Sequence, residues 1–228
     1  PRYLANLKNL PRVQRERLLG GNWKIRDAAG MFFQRRWFEL VDAAPSGCKR
    51  VRAWDLAATE ATEASNPDWT AGVKVARDRQ GIFYVEHIER FRGSPAKVDA
   101  AIKNIASGDG KECRVRLPQD PGQAGKAQAH HFVRMLAGYP VTTKPVTGDK
   151  ATRAGPASSQ AEHGNIKVVR GPWNEAFFLE VENFDGTGKG HDDQVDGLSD
   201  AIDQLAGGAA DIGEMDLSFG AAPSTWTV

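Results

Sequence analysis

Five aspartates in this 228-residue chain stand where a carboxylate is costly unless it has work to do. Asp55 lies inside VRAWDLAA (51–58), an apolar run that reads as a buried strand. A carboxylate there costs several kcal/mol unless it is hydrogen-bonded, paired or holding a metal. Asp120 follows the short strand CRVRLP (113–118) in LPQDPGQAGK. Side chains just past a strand's carboxyl end face the crevice where open α/β sheets bind ligands, and Pro121-Gly122 allows a tight turn. The other three, Asp192, Asp193 and Asp196, open the helical segment HDDQVDGLSDAID. At spacings i,i+3 and i,i+4 like charges repel by a few tenths of a kcal/mol. The helix dipole offsets part of that, and a divalent cation would turn repulsion into ligation. Each position also has a simpler account: a hydrogen-bonded structural Asp at 55, a turn residue at 120, a capped soluble helix at 192–196. Asp200 and Asp203 lie too far along the helix to share the dipole and read as a solvated face.

Together the five say more than each alone. Oxygen-only donors suit hard cations such as Mg²⁺ or Mn²⁺. A pair of such ions about 4 Å apart activates a water and stabilises the leaving oxygen in phosphodiester hydrolysis. The net charge of +1 conceals blocks: +7 over residues 1–50, −1 over 51–110, +6 over 111–170 and −11 over 171–228. Basic blocks around a carboxylate centre suit a polyanionic substrate, although two solvated faces of opposite sign would give the same counts. Lys126, shortly after Asp120, and His191, beside the Asp pair, are candidates for touching phosphate. His130 and His131 read as solvent-facing, and Glu86 and Glu89 as rim residues.

The elements that must position these side chains follow from the hydrophobic period. Residues 51–58, 69–78 and 81–91 read as three strands with short links, hence an antiparallel meander. Ser94-Pro95 starts a helix that stops near Gly108. Strands at 113–118, 139–146 and 165–171 then alternate with helices at 123–137, 150–163 and 172–184. A last helix runs from about His191 to Gly207-Gly208, with Val195, Leu198, Ile202 and Leu205 as its apolar stripe. The expected architecture is α/β: a three-strand antiparallel meander, then parallel strands, in one mixed sheet flanked by helices. Residues 1–49 are expected to form a helical arm (1–22) and connector, 50–207 the domain, and 208–228 a flexible tail.

Composition excludes other classes. The chain is 40% hydrophobic and 26% charged, ordinary globular usage. No run approaches the roughly 18 apolar residues of a membrane span, and no membrane partner is expected. Two cysteines, Cys48 and Cys113, argue against a disulfide framework or a Cys-based zinc site, and suit a reducing cytoplasm. The chain opens at Pro1, as a fragment would.

The segments WDLA (54–57), PDWTA (67–71), LPQDPGQAGK (117–126), GDKATRAGP (148–156), the Trp173 helix and HDDQVDGLSDA (191–201) together resemble the C-terminal nuclease domain of a tailed-phage terminase large subunit. YLANLKNLPRVQRERLLGGNW (3–23) is similar to the connector that precedes it. The resemblance covers about residues 1–207 and implies a ribonuclease H-like fold, two divalent cations (Mg²⁺ or Mn²⁺) and cleavage of double-stranded DNA during genome packaging. It implies Asp55, Asp120, Asp193 and Asp196 as catalytic metal ligands, with Asp192 adjacent. Which of Asp192, Asp193 and Asp196 bind metal stays open. Lys150 and Arg153, in the GDKxxRA segment, would contact DNA phosphate, order the loop or form a structural ion pair. The implied partners are an N-terminal packaging ATPase, the small terminase subunit and the portal, in the cytoplasm of a host bacterium. No GxxxxGK[ST] occurs, so ATP hydrolysis is not expected of this chain. Two rivals stay open: another ribonuclease H-like nuclease of junction-resolvase or recombinase type, and a non-catalytic DNA-binding assembly module.

Overall fold

The computed structural model describes residues 30–57 and 67–207, together with 15, 18 and 19. The expected N-terminal arm, most of the stretch after β2 and the expected tail therefore lie outside the described residues, save those three positions. Seven strands form one sheet: β1 (Glu39–Val41), β2 (Lys49–Asp55), β3 (Thr70–Arg77), β4 (Phe83–Phe91), β5 (Cys113–Gln119), β6 (Val141–Pro145) and β7 (Ile166–Val169). Their spatial order is β1-β7-β4-β3-β2-β5-β6. The pairs β2–β3 and β3–β4 are antiparallel, and every other pair is parallel. The meander and the parallel additions are thus as the sequence predicts. The helices are α1 (Pro95–Asp109), α2 (Gly122–Met135), α3 (Lys150–Glu162), α4 (Asn174–Asn183) and α5 (Asp193–Ala206).

Strand β2 explains the two layers. Successive side chains point to opposite faces of a sheet. Val51 and Ala53 enter a core shared with Val195, Leu198 and Ile202 of α5 and with Phe177 and Phe178 of α4. Trp54 enters a second core with Val98 and Ile102 of α1 and Phe132 of α2. By the same alternation Asp55 shares the face of Val51 and Ala53, beneath α5.

Two features depart from expectation. The predicted connector 23–50 supplies β1, which pairs with β7 in parallel, and three buried phenylalanines, Phe32, Phe33 and Phe38. Three residues are too short a strand for any period to show. The second is Gly197, whose role the aspartate pattern does not announce. A Cβ there would lie 2.8 Å from Val73 Cγ2 and 3.6 Å from the Ala53 carbonyl. The bare glycine lets α5 settle onto β2 and β3, burying Val195, Leu198, Ile202 and Leu205. Each such side chain contributes about 1.5–3 kcal/mol.

Gly197→Val is therefore expected to lower unfolding free energy by about 2 kcal/mol or more, through overpacking against Val73. Urea denaturation checks this; an unchanged midpoint would show that the close approach is dispensable.

Candidate metal centre

Asp55 is the last residue of β2 and is paired in register with Ala71 of β3. Because α5 crosses these two strands, its first turn comes to the same end of the sheet. Burial pushes the Asp55 carboxyl up to about 8, and the nearby charges of Asp196, Asp193 and Asp192 add to the rise while Lys150 opposes it. The strand and the helix start, 137 residues apart at Asp55 and Asp192, thus share one electrostatic centre.

The three helix aspartates have different partners. Asp192 is buried, its carboxylate paired with the Lys150 ammonium. Burial raises the Asp192 pKa, and the ion pair with Lys150 works against it. Lys150 Nζ also lies 3.4 Å from Asp196 Oδ2, and Arg153 Nη2 lies 2.8 Å from Asp196 Oδ1. Burial disfavours the Lys150 cation, but Asp192 and Asp196 outweigh that and raise its pKa. Both basic residues sit in the first turn of α3, whose N-cap Asp149 accepts from the Thr152 amide at 2.7 Å. Of the outcomes expected for Lys150 and Arg153, the structure has the ion pairs, and Arg153 Nη1 also donates to the Gly148 carbonyl of the preceding loop at 3.0 Å. Asp193 Oδ1 accepts from the Trp69 amide at 3.2 Å, while Oδ2 is buried with no hydrogen-bond partner. His191 Nδ1 stands 3.9 Å from that oxygen and 3.6 Å from Asp68 Oδ1. Burial raises the Asp193 pKa, opposed by the Trp69 amide.

Asp120 stands apart. It is exposed beyond the end of β5. Continuing the parallel register from Ala53–Arg116 puts Pro118 level with Asp55, so Asp120 lies two residues past the centre. The turn that carries it depends on Gly125, where a Cβ would fall 1.9 Å from the Asp120 carbonyl oxygen. Lys126 is exposed on α2. Among the described residues no three His, Cys, Asp or Glu side chains converge within common reach of one ion. Lys150 and Arg153 engage Asp192 and Asp196, and Asp120 is exposed.

A crevice of about 230 Å³ opens beside Asp55 and Asp196, with Arg153 and Lys144 on its wall. The expected solvated face at Asp200 and Asp203 is instead ion-paired: Arg116 Nε lies 2.9 Å from Asp200, and Lys144 Nζ 2.6 Å from Asp203. The donors of the centre are carboxylate oxygens, and a buried Asp193 oxygen lacks a hydrogen bond. Those two facts fit a hard divalent cation. Glu180 of α4 is a functional candidate that no local pattern signals. It is buried and reaches the first-turn amide of Gln194 at 2.6 Å.

The matches with known proteins agree with this frame. Residues 52–205 match the family model described as the terminase RNase H-like domain. The large terminase nuclease from thermophilic phage G20c with bound cobalt is 17% identical at a TM-score of 0.54, covering 77% of this chain and 97% of that one. The same nuclease with bound zinc is 20% identical at 0.55, covering 74% and 95%. With bound magnesium it is 18% identical at 0.54, covering 74% and 94%. At such identities these neighbours speak for the fold alone. No curated protein sequence matches the chain. With a family model spanning well over half its length, the chain belongs to the terminase RNase H-like domain family.

Proposed function

We propose that this domain is a divalent-cation-dependent endonuclease that cuts double-stranded DNA concatemers during phage genome packaging. The observation that carries the reading is that Asp55 and Asp196 line one crevice, with Asp193 in the same first turn of α5 as Asp196. The G20c nuclease, solved with cobalt, zinc and magnesium, supports divalent chemistry in such a domain.

In this reading Asp55, Asp193 and Asp196 hold the cations, and Asp192 stays with Lys150. Asp120, exposed two residues past the level of Asp55 on the neighbouring β5, would have to turn inward to join them. Mg²⁺ or Mn²⁺ bound there would supply the Lewis acidity that activates a water and stabilises the departing oxygen. Arg153 and Lys144, on the crevice wall, would position the backbone phosphate on either side of the scissile bond. Lys150 holds one carboxylate charged and oriented while balancing part of the local negative charge. The substrate's own charge explains why cations from α3 and β6 surround an acidic centre. As the nuclease part of a large terminase, the domain would act with an ATPase module, a small subunit and the portal in the host bacterial cytoplasm.

Asp55→Asn removes the carboxylate that would ligate the cation, and almost no volume. Plasmid nicking with Mn²⁺ is expected to fall to the level of an EDTA control; nicking at the parental rate would overturn the assignment. The same substitution has an opposite effect on stability. The folded pKa of Asp55, about 8, lies above its ordinary value of 3.8. Between those values the unfolded chain ionises and the folded one does not, so stability falls as pH rises, by at most about 1.4 kcal/mol per unit. In EDTA, Asp55→Asn is therefore expected to be more stable than the parent at pH 8, with a smaller difference at pH 5. Urea midpoints of both proteins at the two pH values check this, and a difference independent of pH would contradict it.

A further inference from the structure

We propose that Glu180 is a positioning residue for the acidic centre: from α4 it fixes the first turn of α5 and so the orientation of Asp193. The inference rests on the metal-dependent reading above and deepens it.

The first four N–H groups of a helix have no partner within the helix, and the N-cap side chain normally satisfies one of them. In α5 the N-cap is Asp192, and its side chain makes no cap hydrogen bond. Its carboxylate is committed to Lys150. Capping passes instead to a residue of another helix. Glu180 Oε1 accepts from the Gln194 amide at 2.6 Å and the Val195 amide at 3.3 Å. Its Oε2 accepts from Gln194 Nε2, also at 2.6 Å. Glu180 is only 6% exposed, so these hydrogen bonds are made out of solvent.

A second contact holds the other side of Asp193. The Trp69 amide binds Oδ1, and Oδ2 is left without a hydrogen bond. Arg90 joins the two supports: its Nη2 lies 3.3 Å from Glu180 Oε2, and its guanidinium stacks 4.4 Å from the centre of the Trp69 ring. Thus the backbone next to Asp193 is fixed from α4, its carboxylate from the start of β3, and one arginine of β4 braces both. Without Glu180, the Gln194 and Val195 amides would lose their acceptor in a buried place, and the Gln194 side chain would keep only the Ala176 carbonyl at 3.4 Å. The turn would loosen, and the oxygen that Asp193 presents would lose its direction.

Partners that orient ligands typically change metal affinity by about 10–100-fold when removed. The test is Mn²⁺ binding to the purified chain without DNA, by titration calorimetry, beside plasmid cleavage over a range of Mn²⁺ concentrations. Glu180→Ala is expected to bind Mn²⁺ at least about 10-fold more weakly, yet regain cleavage at high Mn²⁺. Circular dichroism without metal separates this from a loss of fold, which high Mn²⁺ could also repair by binding the folded state. Glu180→Gln keeps the volume and one acceptor oxygen, and is expected to fall between the two; it decides the matter if the alanine variant does not fold. Leu179→Ala, on the exposed side of α4, should bind like the parent. Folded Glu180 variants with parental Mn²⁺ affinity would overturn the proposal and leave the nuclease reading intact. A parent that binds Mn²⁺ but leaves plasmid uncut would overturn the nuclease reading and not this one. A parent that binds no Mn²⁺ overturns both.

Discussion

Crowding several carboxylates at one poorly hydrated sheet end is unfavourable, and much of this fold is arranged around tolerating it. Two of the means are visible. Lys150 and Arg153 bring positive charge to Asp192 and Asp196 from α3. Asp55 meets its neighbours with a pKa so far raised that a proton replaces the missing counter-charge near neutral pH. Like charges in a low-dielectric site cannot all ionise unless something positive joins them. The cationic side chains and the protonated acid are two answers to the same electrostatic problem.

The scaffold supplies the crowding through close packing. Alternation along β2 sends Asp55 to the α5 face, and Gly197 removes the one side chain that would hold α5 off the strands. The apolar stripe of α5 then sets its rotation, so that the first turn overhangs the end of β2. Burial of Val195, Leu198, Ile202 and Leu205 outweighs the few tenths of a kcal/mol of repulsion between neighbouring aspartates. Position in this site is thus fixed by hydrophobic packing, and charge is accommodated afterwards.

How much of this the sequence reveals depends on the range of the interaction. Asp55 stands out because a charge within an apolar run breaks a two-residue period, which is a local signal. The last helix stands out because its stripe repeats within fourteen residues. Lys150 and Arg153 turning inward is different in kind: their partners lie 42 and 43 residues away, and only the packing of α3 beside α5 brings them together. Asp200 and Asp203 look solvated for the same reason, since Arg116 and Lys144 are on other strands. Strand β1 is too short to announce itself, and Glu180 sits in PWNEAFFLEVENF among other acidic residues with nothing local to distinguish it. The turn that carries Asp120 needs a residue without a Cβ at Gly125, a close backbone approach that no composition rule encodes.

The ion pairs along α5 carry one more consequence. Asp192, Asp196, Asp200 and Asp203 form a line of negative charge down this helix, and cations from α3, β5 and β6 meet every one of them. Seen from a distance the line is electrically silent, because opposite charges a few ångströms apart leave only a short-ranged field. A long polyanion could therefore lie alongside the densest acidic segment of the protein without being pushed away, sensing the carboxylates only on near contact.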